Sequence, residues 1–298
     1  MLPRATPLLF LCAGTLGVSS AYAGDDVYGA SRAGMGYTGV AAAHDDVAVT
    51  VNPGLLGLEQ RYDIDAQAFA GSSGDLALGG SIVDSRTAPI GFGLTYQYDS
   101  TQPPLLGDDR PGWVVDGEEP SNWQRENEFT VGVGVPMLDR HLAVGLNASL
   151  GLYNYDRGGN GTTNDFDVGI AAQPEGLFAI GLVAQNIVPY NHEFDDPFTV
   201  SLGTALRSDT AELAVDGSYQ LEDTQTPMSM GVGGALTPGD ALLRAGYRLD
   251  GPRDQQWITW GLGAENDSGA IEYAMGVPLH GELTLGTLGH YIAIRIKT

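Results

Sequence analysis

From residue 62 onward, apolar side chains occupy every second position in one segment after another. In "IGFGLTYQY", Ile90, Phe92, Leu94, Tyr96 and Tyr98 fall on one face, and Gly91, Gly93, Thr95 and Gln97 on the other. "NEFTVGVGV" sets Phe129, Val131, Val133 and Val135 against Glu128, Thr130, Gly132 and Gly134. In "HLAVGLNASLGLY", Leu142, Val144, Leu146, Leu150 and Leu152 oppose His141, Gly145, Asn147, Ser149 and Gly151. A period of two is the mark of a β-strand with two unlike faces. The pattern returns in segments starting near Tyr62, Leu76, Asp165, Leu177, Pro197, Ala211, Pro227, Ala241, Trp257, Gly269 and Leu283. With the three above, fourteen strands are predicted. Most are roughly 9–11 residues long, enough for a tilted strand to cross the apolar layer of a membrane.

The connections carry a second pattern. Residues 85–89, 136–140, 173–176, 208–210 and 237–240 are short, and between them fall the longer 99–126, 154–164, 187–196 and 250–256. Such alternation fits a barrel with turns at one rim and loops at the other. Several early and late connections (71–75, 222–226, 278–282) are short on both sides, which leaves twelve strands as the other count. A soluble β-sandwich also alternates, but it turns a charged face to water. Here the non-apolar face is rich in Gly, Ala, Ser and Thr, which suits a confined interior approached by other backbone. The expected fold is all-β: an antiparallel transmembrane β-barrel of about 14 strands.

The first residues read as an export signal. "MLPRATPLLFLCAGTLGVSSAYA" has a basic Arg4, an apolar stretch from Leu8 to Val18 and an Ala21-Tyr22-Ala23 cleavage pattern. The sole cysteine, Cys12, lies inside it, so the processed chain is expected to have neither disulfides nor cysteine metal sites. With 37 acidic against 14 basic residues and a net charge of −23, nucleic acid is not an expected partner. Glycine, at 43 residues of 298, is about twice its ordinary share.

Between the signal and the strands lies "SRAGMGYTGVAAAHDDVAVTVNPGLLGL", residues 31–58. Gly34-x-Gly36-x-x-Gly39 has the spacing of a dinucleotide fingerprint, but no strand precedes it and no βαβ unit follows, so no cofactor is expected. Taken whole, the stretch resembles the N-terminal signature of the FadL/PorV-like outer-membrane barrels, of the form "ARAAGMGGA…DDA…NPAGL". The matching residues are Arg32, Gly34, Gly36, Gly39, Asp45, Asp46, Asn52 and Pro53. The resemblance is specific over residues 29–58. It implies fourteen antiparallel strands in a Gram-negative outer membrane, with the N-terminal segment folded inside the lumen as a plug. It implies either passive transport of small hydrophobic compounds such as fatty acids, or a PorV-like adaptor for a secreted or surface protein. A structural outer-membrane protein is the third reading, and lipid is the partner common to all three. Two departures stand out: Gly54 replaces the alanine after Asn-Pro, and the chain ends "HYIAIRIKT" without a terminal aromatic.

Local chemistry independently suits a plug. Pro53 pushes Asn52 to an extended conformation and starts a short helix through Leu58. Asp45 and Asp46 are candidates to accept backbone or arginine hydrogen bonds. The expected organisation is signal 1–23, plug 24–61 and barrel 62–298.

With the apolar faces in lipid, the inward list contains Asp63, Asp65, Glu128, Asp165, Asp167, Glu212, Asp216 and Glu272, with Arg207, Arg244, Arg248, Arg295 and Lys297 as cations. Mixed signs suit internal pairing better than an ion filter. Tyr62, Tyr98, Tyr153, Tyr155, Trp257 and Tyr291 lie near strand ends, where interfacial girdles form. Leu105, Leu106, Trp113 and Trp123 in the longest loop are candidate contacts for a greasy ligand or a docking protein. That loop's Asp108, Asp109, Asp116, Glu118 and Glu119 lack the EF-hand spacing. Five scattered histidines form no HExxH-type motif, and no metal site or enzymatic constellation is expected.

Overall fold

A computed structural model of the chain describes residues 29–42, 48–71, 76–100, 124–155, 160–187, 197–221, 226–279 and 288–298. Fourteen strands follow two short helices, α1 (Gly29–Gly34) and α2 (Ala48–Val51). They are β1 (Tyr62–Ala70), β2 (Leu76–Asp84), β3 (Gly91–Ser100), β4 (Gln124–Met137), β5 (Leu142–Tyr155), β6 (Asn160–Glu175) and β7 (Phe178–Gln185). The second half comprises β8 (Thr199–Arg207), β9 (Ala211–Gln220), β10 (Met228–Leu236), β11 (Ala241–Asp250), β12 (Gln255–Asn266), β13 (Gly269–Pro278) and β14 (Gly289–Lys297). Each strand pairs antiparallel with its sequence neighbours, and β1 closes the barrel on β14 from Asp63↔Lys297 to Ala70↔His290. The count is therefore fourteen.

Alternation becomes a two-sided wall. Leu202, Leu262, Ile271 and Ile294 are each half or more exposed, while their neighbours Ser201, Gly261, Glu272 and Arg295 face inward. An outer surface this apolar is stable in lipid rather than water, since burial of such side chains is worth about 1.5–3 kcal/mol each.

Several boundaries differ from expectation. β4 starts at Gln124 and β6 at Asn160, so the connection expected over 154–164 shortens to 156–159. The one expected over 250–256 contracts to 251–254. These strand ends alternate between polar residues, "NGTTND" in β6, and carry no apolar signal although their backbone pairs. β14 starts at Gly289 rather than near Leu283; residues 280–287 lie outside the described residues. The β6–β7 register shifts between Ala172 and Glu175, around Pro174, which has no N–H for the ladder.

The girdle is corrected by face. Trp257 lies on the same side of β12 as Thr259, opposite the exposed Ile258, and an added Cβ at inward Gly276 would meet its ring. Tyr291 is 4% exposed and stacks on Phe69 with ring centroids 4.6 Å apart. Tyr153 shares the inward face with Gly151. Height along a strand placed these rings near the rims, but parity decides which side they occupy. Tyr62 and Tyr98 alternate onto the outer face, and the side chain of Tyr155 lies outside the description.

Candidate functional site

Residues 29–42 and 48–58 run along the inside of the barrel. The helix α1 packs on β11–β14 and β1, and α2 with the following turn packs on β3–β6. The wall receives them through glycines. Gly91, Gly134, Gly145 and Gly169 are successive cross-strand partners on β3–β6. An added Cβ at each would come within 3.0 Å of Leu56, Gly57, Pro53 or Asn52. A second set treats the earlier residues alike. Gly181 and Gly203, partners on β7 and β8, meet Val40, while Gly233 and Gly246 on β10 and β11 meet Met35 and Gly36. No side chain fits between wall and segment at these points, so the backbones touch directly.

Polar anchors fix the register. The Asp216 carboxylate accepts hydrogen bonds from the backbone N–H groups of Gly39 and Val40, at 2.6 and 2.8 Å. Gly36 N donates to the Thr259 hydroxyl at 2.9 Å, and Asn147 Nδ2 donates to the Val49 carbonyl at 2.8 Å. Asn52 is fully buried, and its amide donates to Val40 O at 2.7 Å and Ile170 O at 3.2 Å while its oxygen accepts from Gly54 N. Donors and acceptor of that side chain are all used, which an aspartate cannot imitate.

The glycine spacing thus has a mechanical explanation. Gly36 has φ 67° and lies against the Val232 and Tyr247 carbonyls. Gly39 supplies an N–H to Asp216, and Gly34 faces Gly261 and Arg244. Asn52 is extended (φ −154°, ψ 97°) and caps a 3-10 helix over Pro53–Gly57. The departure at Gly54 is explained as well: its Cβ would come 2.9 Å from Ala171 N. Arg32 donates from Nε to the Tyr37 carbonyl at 2.8 Å. Asp45 and Asp46 lie outside the described residues, as do Leu105, Leu106, Trp113 and Trp123 and the acidic residues of that loop.

All the inward charges expected from alternation lie on the inner face, and most are joined. Arg295 reaches Asp65 at 3.3 Å and Glu272 at 3.2 Å, and Glu272 also pairs with Arg244. Arg207 binds Glu59 (3.1 Å) and Glu212 (3.5 Å); Arg248 binds Asp250 at 2.7 Å and lies over the Tyr37 ring. Lys297 pairs with Glu265, and Asp63 lies 3.7 Å from Arg61. On the opposite wall Asp167 accepts from Asn147 Nδ2 and Asn186 N, Asp165 accepts from Phe166 N, and Glu128 accepts from the Thr130 hydroxyl. Among the described residues no group of His, Cys, Asp and Glu has the arrangement of a metal site.

Alternation alone did not single out Asn147, Thr259 and the glycine rows. Their one signal was polarity or smallness in mid-strand on the lumen face. At the rim joining β4 to β5, Leu138, Asp139 and Arg140 all have positive φ (49°, 53° and 67°), and Arg140 Nη1 donates to the Gly57 carbonyl at 3.0 Å. The left-handed turn ties the end of the N-terminal segment to that rim.

The same barrel occurs in solved structures. The toluene transporter TbuX of Ralstonia pickettii superposes with a TM-score of 0.61 at 13% identity, over 91% of this chain and 98% of that one. The Pseudomonas putida toluene transporter TodX gives 0.63 at 13% identity, over 91% and 96%. The fold is that of a FadL-type barrel. A Pseudomonas aeruginosa FadL homologue matches equally, with a TM-score of 0.60 at 12% identity over 90% and 97% of the chains. No family model and no curated protein matches the sequence. The FadL-type likeness therefore rests on backbone geometry, because almost nine residues in ten differ from these neighbours.

Proposed function

We propose that this chain is a passive outer-membrane transporter for small hydrophobic compounds, its lumen stoppered by residues 24–61. The reading is carried by the glycine-lined seat that holds residues 29–42 and 48–58 inside a lipid-facing barrel. It is supported by the shared fold with two toluene transporters. The rim of tight turns faces the periplasm and the rim of longer loops faces outward. A hydrophobic molecule leaves water at the loop rim and passes beside the stopper, with no covalent step. Fatty acids are one class within this range.

Uptake into vesicles with a lipopolysaccharide outer leaflet tests the proposal. Barrel-containing vesicles are expected to take up toluene and similar molecules faster than empty ones. Equal rates across a broad panel of hydrophobic compounds would rule it out.

A further inference from the structure

Most buried hydroxyls on the lumen wall are engaged: Thr130 with Glu128 and Ser149, Ser201 with Ser218, Thr259 with Gly36. Ser81 and Thr95 differ. They are direct cross-strand partners on β2 and β3, both on the inner face, and only 6% and 5% exposed. Neither Ser81 Oγ nor Thr95 Oγ1 makes a hydrogen bond among the described residues. A buried hydroxyl without a partner is costly, and alanine or valine would fill the same space without that cost. One step toward the turn rim, buried Val83 belongs to the apolar cluster that contains Val49, and its β1 partner is Asp63. One step toward the loop rim lie the amides of Gln67 and Gln97. Two idle hydroxyls therefore stand side by side between an apolar cluster and a polar upper wall.

The electrostatic setting restricts what binds there. Across to β1, Ser81 is paired with Asp65, whose carboxylate is bound by Arg295 at 3.3 Å; Asp165 and Asp167 lie on the inner face of β6, and the described inward residues of β2–β7 include no lysine or arginine. The chain as a whole carries −23. A field of that sign opposes anions entering a low-dielectric lumen.

We propose that Ser81 and Thr95 form a recognition site for the hydroxyl group of an uncharged small amphiphile, an alcohol with an apolar body. An alcohol accepts a hydrogen bond from one side chain and donates to the other. A hydrocarbon does neither, and a carboxylate meets the negative wall. The inference rests on the transport reading and narrows it to neutral hydroxylated compounds.

Three probes that differ at one end separate the possibilities: 2-phenylethanol, ethylbenzene and phenylacetate, titrated calorimetrically into the detergent-solubilised protein. The alcohol is expected to bind about tenfold more tightly than either of the others, the effect of one or two neutral hydrogen bonds. Ser81→Ala with Thr95→Val is expected to bring the alcohol down to ethylbenzene's affinity and leave ethylbenzene unchanged. Heat-modifiable gel mobility checks that the variant is folded, and the wild-type ranking stands without it. An alcohol no tighter than ethylbenzene, or an advantage that survives both substitutions, overturns the site. Phenylacetate binding as tightly as the alcohol overturns the exclusion of anions. Ethylbenzene binding without an alcohol preference sinks this inference alone, whereas binding of none of the three removes the transport reading as well.

Discussion

Asp216 shows what alternation reveals and what it leaves out. Its position in β9 places it on the lumen face, but its partners, the N–H groups of Gly39 and Val40, lie more than 170 residues away and carry no side-chain signal. Charge-assisted bonds of 2.6 and 2.8 Å to two buried donors are among the stronger contacts a carboxylate makes. Asp216→Ala is expected to orphan both donors at a cost of about 1–3 kcal/mol each. Asp216→Asn keeps an acceptor and loses less. Urea midpoints in detergent micelles measure the order, and an Ala variant as stable as the Asn variant would show that the contact contributes nothing. Arg295 makes the complementary case. Buried between Asp65 and Glu272, it bridges two carboxylates that are each 2% exposed at the side chain. Arg295→Ala removes the guanidinium between Asp65 and Glu272 while Glu272 keeps Arg244, and breaking a buried pair costs about 3–5 kcal/mol. The same urea series is expected to place it well below the wild type, and a wild-type midpoint would mean that this guanidinium holds nothing together.

At the level of elements, the strands were legible because a membrane wall needs strict alternation. The extensions of β4 and β6 were not, since above the lipid neither face must be apolar. The seat itself shows only when the strands are aligned: Gly91, Gly134, Gly145 and Gly169 are scattered in sequence but adjacent across β3–β6. A Cβ at Gly145 would come within 3.0 Å of the Pro53 carbonyl group, where both sides are backbone and cannot rotate away. Gly145→Ala is therefore expected to lift Pro53–Gly57 from the wall and expose residues 29–58 to protease in the folded barrel. Gly217→Ala is the control, because nothing lies within 4 Å of its Cβ position. Equal protease resistance of the two variants would mean the segment is not held by the glycine row.

For the molecule as a whole, the N-terminal segment and the charge of the wall meet in one measurement. Residues 29–42 and 48–58 contact the inner faces of strands around the barrel, from β14 through β7 and on to β3. Removing residues 29–58 takes away the backbone that fills these glycine-lined faces, and small side chains cannot close the gap behind it. The deletion variant, inserted in planar bilayers, is expected to conduct ions while the intact protein conducts little. The exposed wall would present Asp99, Glu126, Glu128, Asp165 and Asp167 from β3–β6, and the deleted stretch contains only one arginine and no lysine. Rings of carboxylates favour cations in a pore. In a roughly tenfold KCl gradient the reversal potential is then expected on the cation-selective side, shrinking at high salt as screening shortens the reach of the wall charges. Anion selectivity would mean that the arginines of β11–β14 face the path and the acidic strands do not. An unchanged, closed barrel would mean that something other than the N-terminal segment seals the lumen.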